Sequence, residues 1–418
     1  MDIVLILSVL AIACWLPFVI TTFIVVRSLR NVRDYERPLP RGTRNPEPRL
    51  LFRFMTRGGT AELVNAGLQS VVDACSAEGF TAYTMDVFTE DDADVFDPRA
   101  TTYVVPKGFR TPNASRFKAR ALCYSLVRTK ASDSLWIFHL DEESRVTRQC
   151  VAAMLDYIRR GGQPVAEGPI NYPIEFGRSW LASFMESSRA GGCLFCIDQI
   201  EDGPMLWFHG SNLLVRSDVE TAVGWDYGPL CLGEDERFAI EARRHVGPDG
   251  FGWHGGLVLE QPAFSVRDAM RQRQRWFIGG VRNLRHFTPA LRIMKGLFLS
   301  SAILGFPGFL LGSLGWVGLI RIPPLIGVLL LFSTVVWFSQ IQLGLHYNLR
   351  HLGKSRRARL VLHLACLALT PLLGVLEGLP AFFALWRRPK TFEVIRKVRP
   401  PAKPIPQPPV VSAPASSE

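Results

Sequence analysis

Two acidic clusters and one basic–aromatic segment contain the residue types that could carry out a reaction. In the first cluster, Asp141, Glu142 and Glu143 follow the apolar run 134–140, which predicts a β-strand. Carboxylates at positions i and i+2 after a strand can bind one hard divalent cation, and that cation can neutralise a diphosphate leaving group. The alternative is an acidic first turn of a helix, where the helix dipole stabilises carboxylates.

The second cluster lies further along the chain and reads Gly233-Glu234-Asp235-Glu236. A carboxylate beside a substrate hydroxyl can act as a general base by accepting its proton. If a helix begins here, neighbouring side chains point about 100° apart, so only one of Glu234 and Asp235 can face that hydroxyl. The alternative is a solvated helix N-terminus without a catalytic role.

The basic–aromatic segment is 272–276, with the sequence Gln-Arg-Gln-Arg-Trp. Its arginines offer guanidinium forks that can bind phosphate, and its tryptophan offers a flat apolar face for a sugar ring. The pattern is also typical of a basic amphipathic helix on a bilayer, and both interpretations can hold together. Two further basic segments, 105–110 and 117–122, could face an anionic nucleotide or form a solvated surface.

These residues lie in a region, from about residue 50 to residue 280, that has the pattern of a soluble α/β domain. The predicted strands are 51–55, 82–89, 134–140 and 204–215, and the predicted helices are 63–77, 117–130 and 145–159. Such alternation predicts a mainly parallel sheet with crossover helices. Ligands bind at the carboxyl ends of the strands in open sheets of this kind, and the first acidic cluster follows such a strand end.

Long hydrophobic segments flank this domain on both sides. Of the 418 residues 48% are hydrophobic, and the mean hydropathy is +0.14. Segments 3–26, 296–320 and 324–345 are each long enough to cross a bilayer. Arginines follow the first segment at positions 27, 30 and 33. The positive-inside rule therefore predicts an external amino terminus and a cytoplasmic central domain.

The last hydrophobic segment, 360–386, has two candidate topologies. As a helix it would be about 40 Å long, against a hydrocarbon core of about 30 Å. Pro371 and Pro380 interrupt it, Glu377 lies inside it, and basic residues flank both of its ends. A single tilted span would place the carboxyl terminus outside, against the charge rule. We therefore favour a broken, re-entrant pair that keeps the carboxyl terminus inside.

The predicted chain is a multi-pass integral membrane protein with five parts. They are a transmembrane helix (1–27), a basic and Pro-rich linker (28–49), a cytoplasmic domain ending in an interfacial helix (50–290), membrane helices (291–388) and a disordered basic, Pro-rich tail (389–418). The catalytic residue types all fall in the third part.

Other function classes fit the sequence less well. The formal net charge of +11 is compatible with nucleic-acid binding, but no aromatic–basic recognition module accompanies it. Cys193 and Cys196 form a lone C-x-x-C, for which we expect a structural role, and a disulfide framework is not expected in a cytoplasmic domain. A transporter, or a membrane scaffold with a regulatory domain, usually has several ionisable groups in its spans, whereas here only Glu377 and His363 stand out.

The order of these features resembles the membrane-bound members of inverting glycosyltransferase family 2. The resemblance covers about residues 50–290 and rests on the carboxylate pair, then Gly-Glu-Asp, then Q-x-x-R-W before membrane helices. Segment 209–226 is similar to the acceptor-side region of that family. Within it, the chain most resembles the egghead-type β-1,4-mannosyltransferase group. The matching segments are 56–58, 105–110, 117–122, 139–144, 260–264 and 272–276.

The resemblance implies a GT-A-like nucleotide-sugar-binding domain and a single displacement with inversion at the anomeric carbon. It implies a nucleotide-sugar donor, with GDP-mannose favoured and a UDP-hexose as the alternative, and a membrane lipid or lipid-linked saccharide as acceptor. Within the family, a processive polysaccharide synthase is the alternative, because such enzymes share Q-x-x-R-W, although the few membrane segments argue against a polymer channel. No nucleic-acid partner is expected, and protein partners are left open.

The resemblance also implies residue roles. Asp235 would be the base, and Asp141 and Glu143 would bind Mg²⁺ or Mn²⁺ on the diphosphate. The other donor contacts would be Arg57, Lys118, Arg275, and either Glu90 or Asp91. The acceptor contacts would be Gly210, Ser211, Trp225, Asp226, Glu234, Gln272 and Trp276. The usual D-x-D of the family appears here as Asp-x-Glu, and its base-recognition turn appears as Thr-Glu-Asp-Asp at 89–92, which leaves the donor base open.

Overall fold

The computed structural model describes residues 3–42, 47–201 and 206–386. The predicted disordered tail, 389–418, lies outside these residues. The helices are α1 (Ile3–Ser28), α2 (Ala61–Ala77), α3 (Phe117–Arg128), α4 (Arg148–Arg159), α5 (Trp180–Glu201), α6 (Ser217–Val223), α7 (Glu234–Val246), α8 (Val266–Asn283), α9 (Pro289–Trp316), α10 (Pro324–Arg350) and α11 (Arg356–Ala384). The strands are β1 (Arg49–Met55), β2 (Tyr83–Thr89), β3 (Thr101–Val104), β4 (Leu135–Asp141), β5 (Arg145–Val146), β6 (Val165–Glu167), β7 (Ile170–Asn171), β8 (Leu213–Arg216), β9 (Phe251–Trp253) and β10 (Val258–Leu259).

The central domain contains a seven-stranded sheet in the order β3-β2-β1-β4-β8-β6-β9. Strand β1 pairs in parallel with β2 and with β4. The β2–β3 and β6–β9 pairs are also parallel, and only the two pairs that involve β8 are antiparallel. A second sheet has the order β5-β10-β7. The prediction of an α/β fold with a mainly parallel sheet is confirmed.

Strand β1 shows why this sheet is buried on both faces. Alternate side chains of a strand point to opposite sides. Phe52 and Phe54 pack with residues of α2 and α4, whereas Leu51 and Met55 lie in the cluster that includes α3, α5 and α7. A strand covered on both faces reads as a continuous apolar run, and this is why the sequence predicted it.

One charged group lies inside this core. Arg53 of β1 is completely buried and pairs with Glu220 of α6 at 2.9 Å. The same carboxylate accepts from Trp225 Nε1 at 2.9 Å and lies 2.8 Å from His139 Nε2. Burial alone raises the pKa of Glu220, but Arg53 and His139 outweigh it and lower the pKa to about 2. The network fixes β1, β4 and α6 relative to one another below the edge that carries the acidic cluster.

Two predicted elements have different bounds from those expected. The predicted strand 204–215 is a strand only in β8, which starts at Leu213, and 202–205 are outside the described residues. The predicted helix 145–159 begins as β5 and becomes helical at Arg148, because the Thr147 side chain accepts the backbone N–H of Cys150 and caps the helix there.

Within the described residues, four helices are long and apolar enough to cross a membrane: α1, α9, α10 and α11. Helix α10 also docks on the central domain, where Gly344 meets Gly191 of α5. A Cβ atom on Gly344 would lie 1.9 Å from the Ser187 carbonyl oxygen, so only glycine permits this approach. Beyond this contact, Asn348 Oδ1 accepts the backbone N–H of Tyr172 at 2.8 Å.

The re-entrant pair expected for 360–386 is wrong. Helix α11 runs without a break from Arg356 to Ala384 and contains both Pro371 and Pro380. A proline removes one backbone donor and usually bends a helix, but neighbouring helices can compensate for this loss. Packing of α11 against α8, α9 and α10 is the physical reason that the helix continues through both positions.

Candidate active site

The loops that follow β1, β2 and β4 meet at one edge of the sheet. Met55 of β1 is in register with Phe88 of β2 and with Asp141 of β4. Thr56 and Thr60, just after β1, both donate to Glu142 Oε2 at 3.0 Å. The parallel strands therefore bring the first acidic cluster beside the other two loops, as the sequence predicted for the carboxyl edge.

The predicted nucleotide-contacting residues Arg57, Glu90 and Asp91 lie together at this edge. Gly58 has φ +99°, and a Cβ atom there would lie 2.1 Å from Asp91 Cβ, so the loop after β1 touches the loop after β2. Glu90 pairs with Arg120 of α3 at 2.7 Å. The Asp91 carboxylate instead accepts the backbone N–H of Ala93. Both carboxylates thus have an intramolecular partner, and the choice between them for donor recognition stays a prediction.

Lys118 of α3 connects the two acidic clusters. Its Nζ atom donates to Asp141 Oδ1 at 2.5 Å and to the Gly210 carbonyl oxygen at 3.1 Å. A Cβ atom on Gly210 would lie 3.1 Å from Asp235 Oδ2 and 3.2 Å from Lys118 Nζ. The structure therefore brings together the predicted base, the predicted metal ligand, the predicted nucleotide contact and Gly210.

Asp235 has the electrostatic environment of a general base. It lies in the first turn of α7 and accepts the backbone N–H of Glu236 at 2.9 Å. Burial and the neighbouring Glu234 carboxylate raise the pKa of Asp235 to about 7, although the Lys118 ammonium opposes this rise. A carboxyl group that titrates near neutral pH can accept a proton from a hydroxyl more readily than an ordinary aspartate.

The residues expected to bind a metal carry a suitable but incomplete donor set. Asp141 and Glu143 supply hard carboxylate oxygens, and Glu260 lies close enough to both for their charges to raise its pKa, after burial, to about 7. No group of three or more His, Cys, Asp or Glu side chains with the geometry of a metal site occurs in the described residues. Mg²⁺ is commonly held by one or two carboxylates together with substrate phosphates, so the two carboxylates fit a metal that arrives with a diphosphate.

Ser211 supports this loop from below. It is buried, and its Oγ atom lies 3.0 Å from Ser144 Oγ. Ser144 in turn donates to Glu260 Oε1 at 3.1 Å. We expected Ser211 to contact the acceptor. The structure gives it a supporting position under the acidic loop.

Two other residues expected on the acceptor side have partners within the domain. Trp225 is only 2% exposed and stacks on Phe238 with ring centroids 4.2 Å apart. Asp226 accepts from Thr111 Oγ1 at 2.6 Å and from Ser115 Oγ at 2.8 Å. The assignment of Trp225 to a substrate contact is therefore corrected, because its ring is buried in packing. Asp226 is half-buried and holds the 111–115 loop, and its role in acceptor binding stays a prediction.

The segment 272–276 lies within α8, and its side chains point in different directions. Arg273 is buried, whereas Gln272, Arg275 and Trp276 are half-buried. The Trp276 ring lies below the Arg189 guanidinium at 4.4 Å and near that of Arg273 at 5.9 Å. Such cation–π contacts hold an aromatic ring in one orientation.

Arg189 of α5 is a site residue that the sequence analysis missed. Its guanidinium lies over both Tyr172 and Trp276, at 4.6 and 4.4 Å. It is also close enough to Glu260 to oppose the rise in the pKa of that carboxyl group. Arg189 thus links α8 to the acidic loop. An arginine in the run of small residues 187–192 was the available signal, because a charge that is buried there requires partners.

Comparison with known proteins identifies a matching family and several similar enzymes. The sequence profile described as glycosyl transferase family group 2 matches residues 136–370. The β-1,4-mannosyltransferase egh of Drosophila melanogaster is 29% identical over 239 residues, which are 56% of this chain and 52% of the relative. The β-1,4-mannosyltransferase bre-3 of Caenorhabditis elegans is 28% identical over the same shares. The chain spans about half the length of the curated relatives that it matches.

Among solved structures, the fold is similar to that of a mannosyltransferase from Pyrobaculum calidifontis in complex with GDP-Man and Mn²⁺. It is 14% identical, the match covers 92% of this chain and 100% of the other, and the TM-score is 0.47.

Proposed function

Because this chain belongs to glycosyl transferase family group 2, we propose that it transfers a hexose from a nucleotide sugar to a lipid-linked or glycolipid hydroxyl, with inversion. The observation that carries the proposal is the position of Lys118, which binds Asp141 and the Gly210 carbonyl beside Asp235. A base and an anion-binding group side by side are what direct displacement of a diphosphate by a hydroxyl requires.

Each group has a separate task in this reaction. Asp235 accepts the proton of the acceptor hydroxyl, and Glu234 raises its basicity. Lys118 and Arg275 place positive charge near the departing diphosphate, and Arg57 approaches the nucleotide. A divalent cation at Asp141 and Glu143 would neutralise part of the charge on the diphosphate. The half-buried Trp276 offers its ring to the acceptor sugar, with Gln272 beside it.

Mannose is the hexose that we propose, with GDP-mannose as the donor. Its support is the similarity to the two β-1,4-mannosyltransferases, which are 29% and 28% identical to this chain over 239 residues. A UDP-hexose is the alternative, since Glu90 and Asp91 leave base recognition open. Mg²⁺ or Mn²⁺ would serve as the metal, because both prefer carboxylate and phosphate oxygens.

We propose that the catalytic domain faces the cytoplasm and that α11 lies along the side of that domain facing the membrane. Two contacts support this arrangement. Just before α11, Arg350 pairs with Glu36 of the linker at 3.0 Å. Near the other end of α11, Glu377 pairs with Arg273 of α8 at 2.6 Å. The end of α10, just before α11 begins, and the carboxyl-terminal part of α11 thus both contact the same domain, so we expect the carboxyl end of α11 to stay on the domain's side of the bilayer.

The proposed activity is tested with purified protein in detergent. Nucleotide sugars are incubated with Mn²⁺, first alone to measure hydrolysis and then with a glycolipid acceptor to measure transfer. We expect GDP-mannose to be turned over fastest and Asp235→Asn to lose transfer. Failure of every GDP- and UDP-sugar to react in the wild type would refute the proposal, and preference for a UDP-hexose would refute only the donor assignment.

A further inference from the structure

A chain of four charged side chains runs from α11 to the aromatic ring of α8. Arg273 donates from Nε to Glu377 Oε2 at 2.6 Å and from Nη1 to Glu186 Oε1 at 3.1 Å. The second oxygen of Glu186 accepts from Arg189 Nη1 at 3.0 Å. Glu377 receives a further bond from Ser188 Oγ at 3.3 Å. Charges therefore alternate in sign along Glu377, Arg273, Glu186 and Arg189.

The middle of this chain is removed from water. Arg273 is 7% exposed and Glu186 is 1% exposed. Burial by itself raises the pKa of Glu186, but Arg273 and Arg189 outweigh it and hold the pKa below its usual range. The carboxylate therefore stays charged, and it fixes both guanidinium groups at once. Buried charges of this kind persist only when each is paired.

Both guanidinium groups contact the same ring. Arg189 lies 4.4 Å and Arg273 lies 5.9 Å from the centroid of Trp276. The orientation of Trp276 thus depends on two cations whose positions are set by Glu186 and Glu377. Glu377 belongs to a helix apolar enough to cross a membrane, where an unpaired carboxylate would be unfavourable.

We propose that Glu377 is a positioning residue for the acceptor: through Arg273 and Glu186 it sets the orientation of the Trp276 ring. This inference rests on the proposed function, because it takes Trp276 as the surface that receives the acceptor sugar. The pairing also connects a membrane-associated helix to the acceptor side, so that the ring is correctly oriented only when α11 is docked. Glu377 itself bonds to Arg273 and Ser188 and not to a residue of the acidic loop, so we expect the donor side to respond less to its loss.

Kinetics on the full chain in detergent test the proposal. Glu377→Gln removes the charge and keeps the shape, whereas Glu377→Asp keeps the charge. We expect Glu377→Gln to raise the KM for a glycolipid acceptor by roughly 3- to 30-fold, the usual range for coupling through a side-chain network. The KM for the donor and the rate of donor hydrolysis should change less than about two-fold, and Glu377→Asp should recover most of the loss.

Two comparisons separate positioning from a general loss of structure. Glu36→Gln breaks the Arg350–Glu36 pair, which also joins a membrane helix to the domain but is not among the pairs that hold Arg189 or Arg273, and it should leave the acceptor KM unchanged. In a Trp276→Ala background, Glu377→Gln should have less than about a two-fold further effect, because the ring that it orients is gone.

The outcomes are distinguishable. An active wild type whose acceptor KM is unchanged by Glu377→Gln overturns this inference and leaves the proposed function intact. An effect of Glu377→Gln that persists without Trp276, or that reduces donor and acceptor parameters together, overturns it as well. A wild type that reacts with no nucleotide sugar removes the proposed function and the inference with it.

Discussion

Replacement of Asp235 by asparagine separates proton transfer from binding at this site. The amide oxygen of Asp235→Asn can still accept the Glu236 N–H, which Asp235 accepts at 2.9 Å, so the first turn of α7 keeps its contact. The variant has no carboxylate to accept a proton. We expect turnover to fall by roughly 10²- to 10⁴-fold, the usual contribution of general base catalysis. Donor affinity, measured by titration calorimetry, should be unchanged.

The pKa of about 7 for Asp235 also gives the wild type a specific pH dependence. Only the deprotonated carboxylate can act as base, so kcat/KM should fall as the pH falls through this value. At pH 5 only about 1% of the carboxyl groups would be charged, which predicts roughly a 100-fold loss. Between pH 7 and pH 9 the gain should be no more than about two-fold.

Two neighbours should move this pH profile in opposite directions. The Glu234 charge raises the pKa of Asp235, so Glu234→Gln should shift the acid limb to lower pH with only a mild loss of turnover. The Lys118 charge lowers that pKa, so Lys118→Met should shift the limb to higher pH, in addition to weakening the donor. An unmoved limb in both variants would refute the assignment of the base. If Glu234→Gln stops turnover and Asp235→Asn does not, the two residues exchange roles.

Further outcomes follow from the same geometry. Asp141→Ala and Glu143→Ala should each abolish transfer while the unfolding temperature stays that of the wild type. EDTA should also abolish transfer, and full activity in EDTA would exclude the metal role. Gly210→Ala places a methyl group 3.1 Å from Asp235 Oδ2 and 3.2 Å from Lys118 Nζ, and should reduce turnover by roughly 10²-fold, whereas Gly192→Ala, with nothing within 4 Å, should not. In intact cells, both Lys107→Cys and Ser416→Cys should be protected from a membrane-impermeant thiol reagent. Labelling of Lys107→Cys alone would place the domain outside the cell. Labelling of Ser416→Cys alone would mean that α11 crosses the membrane.

The sheet and the acidic edge could be predicted because they depend on local pattern. Buried parallel strands are continuous apolar runs, and residues that follow such runs must meet at one edge. Asp141 and the loops after β1 and β2 were located in this way, and the structure agrees. The side to which an individual residue turns is not a local property. Trp225 belongs to the predicted acceptor region, but its ring packs against Phe238 because α6 and α7 meet there.

The last helix shows a second limit of sequence patterns. Two prolines and a glutamate in 360–386 favoured a break, because each is unfavourable in an isolated helix in lipid. The helix is not isolated, since α8, α9 and α10 pack along it and Arg273 pairs with the glutamate. The prolines and the glutamate that favoured a break therefore mark a surface that packs on other helices. We still expect an internal carboxyl terminus, but the expectation now rests on contacts with the domain and not on a re-entrant turn.

Ionisable residues that become buried give information that the sequence analysis used only in part. Arg53 in β1 and Glu377 in α11 interrupt apolar runs, and Arg189 in α5 lies among small residues. Each has a partner of opposite charge or an aromatic ring in the fold. A stable fold requires such a partner, because an unpaired buried charge is strongly destabilising. The sequence therefore predicts that a partner exists, but it cannot select one from 48 Lys and Arg or 37 Asp and Glu residues. Glu377 and Arg273 are 104 positions apart, and only the packing of α11 on α8 brings them together. The part of the site that depends on such distant pairs is the acceptor side, and this is where the sequence assignments needed correction.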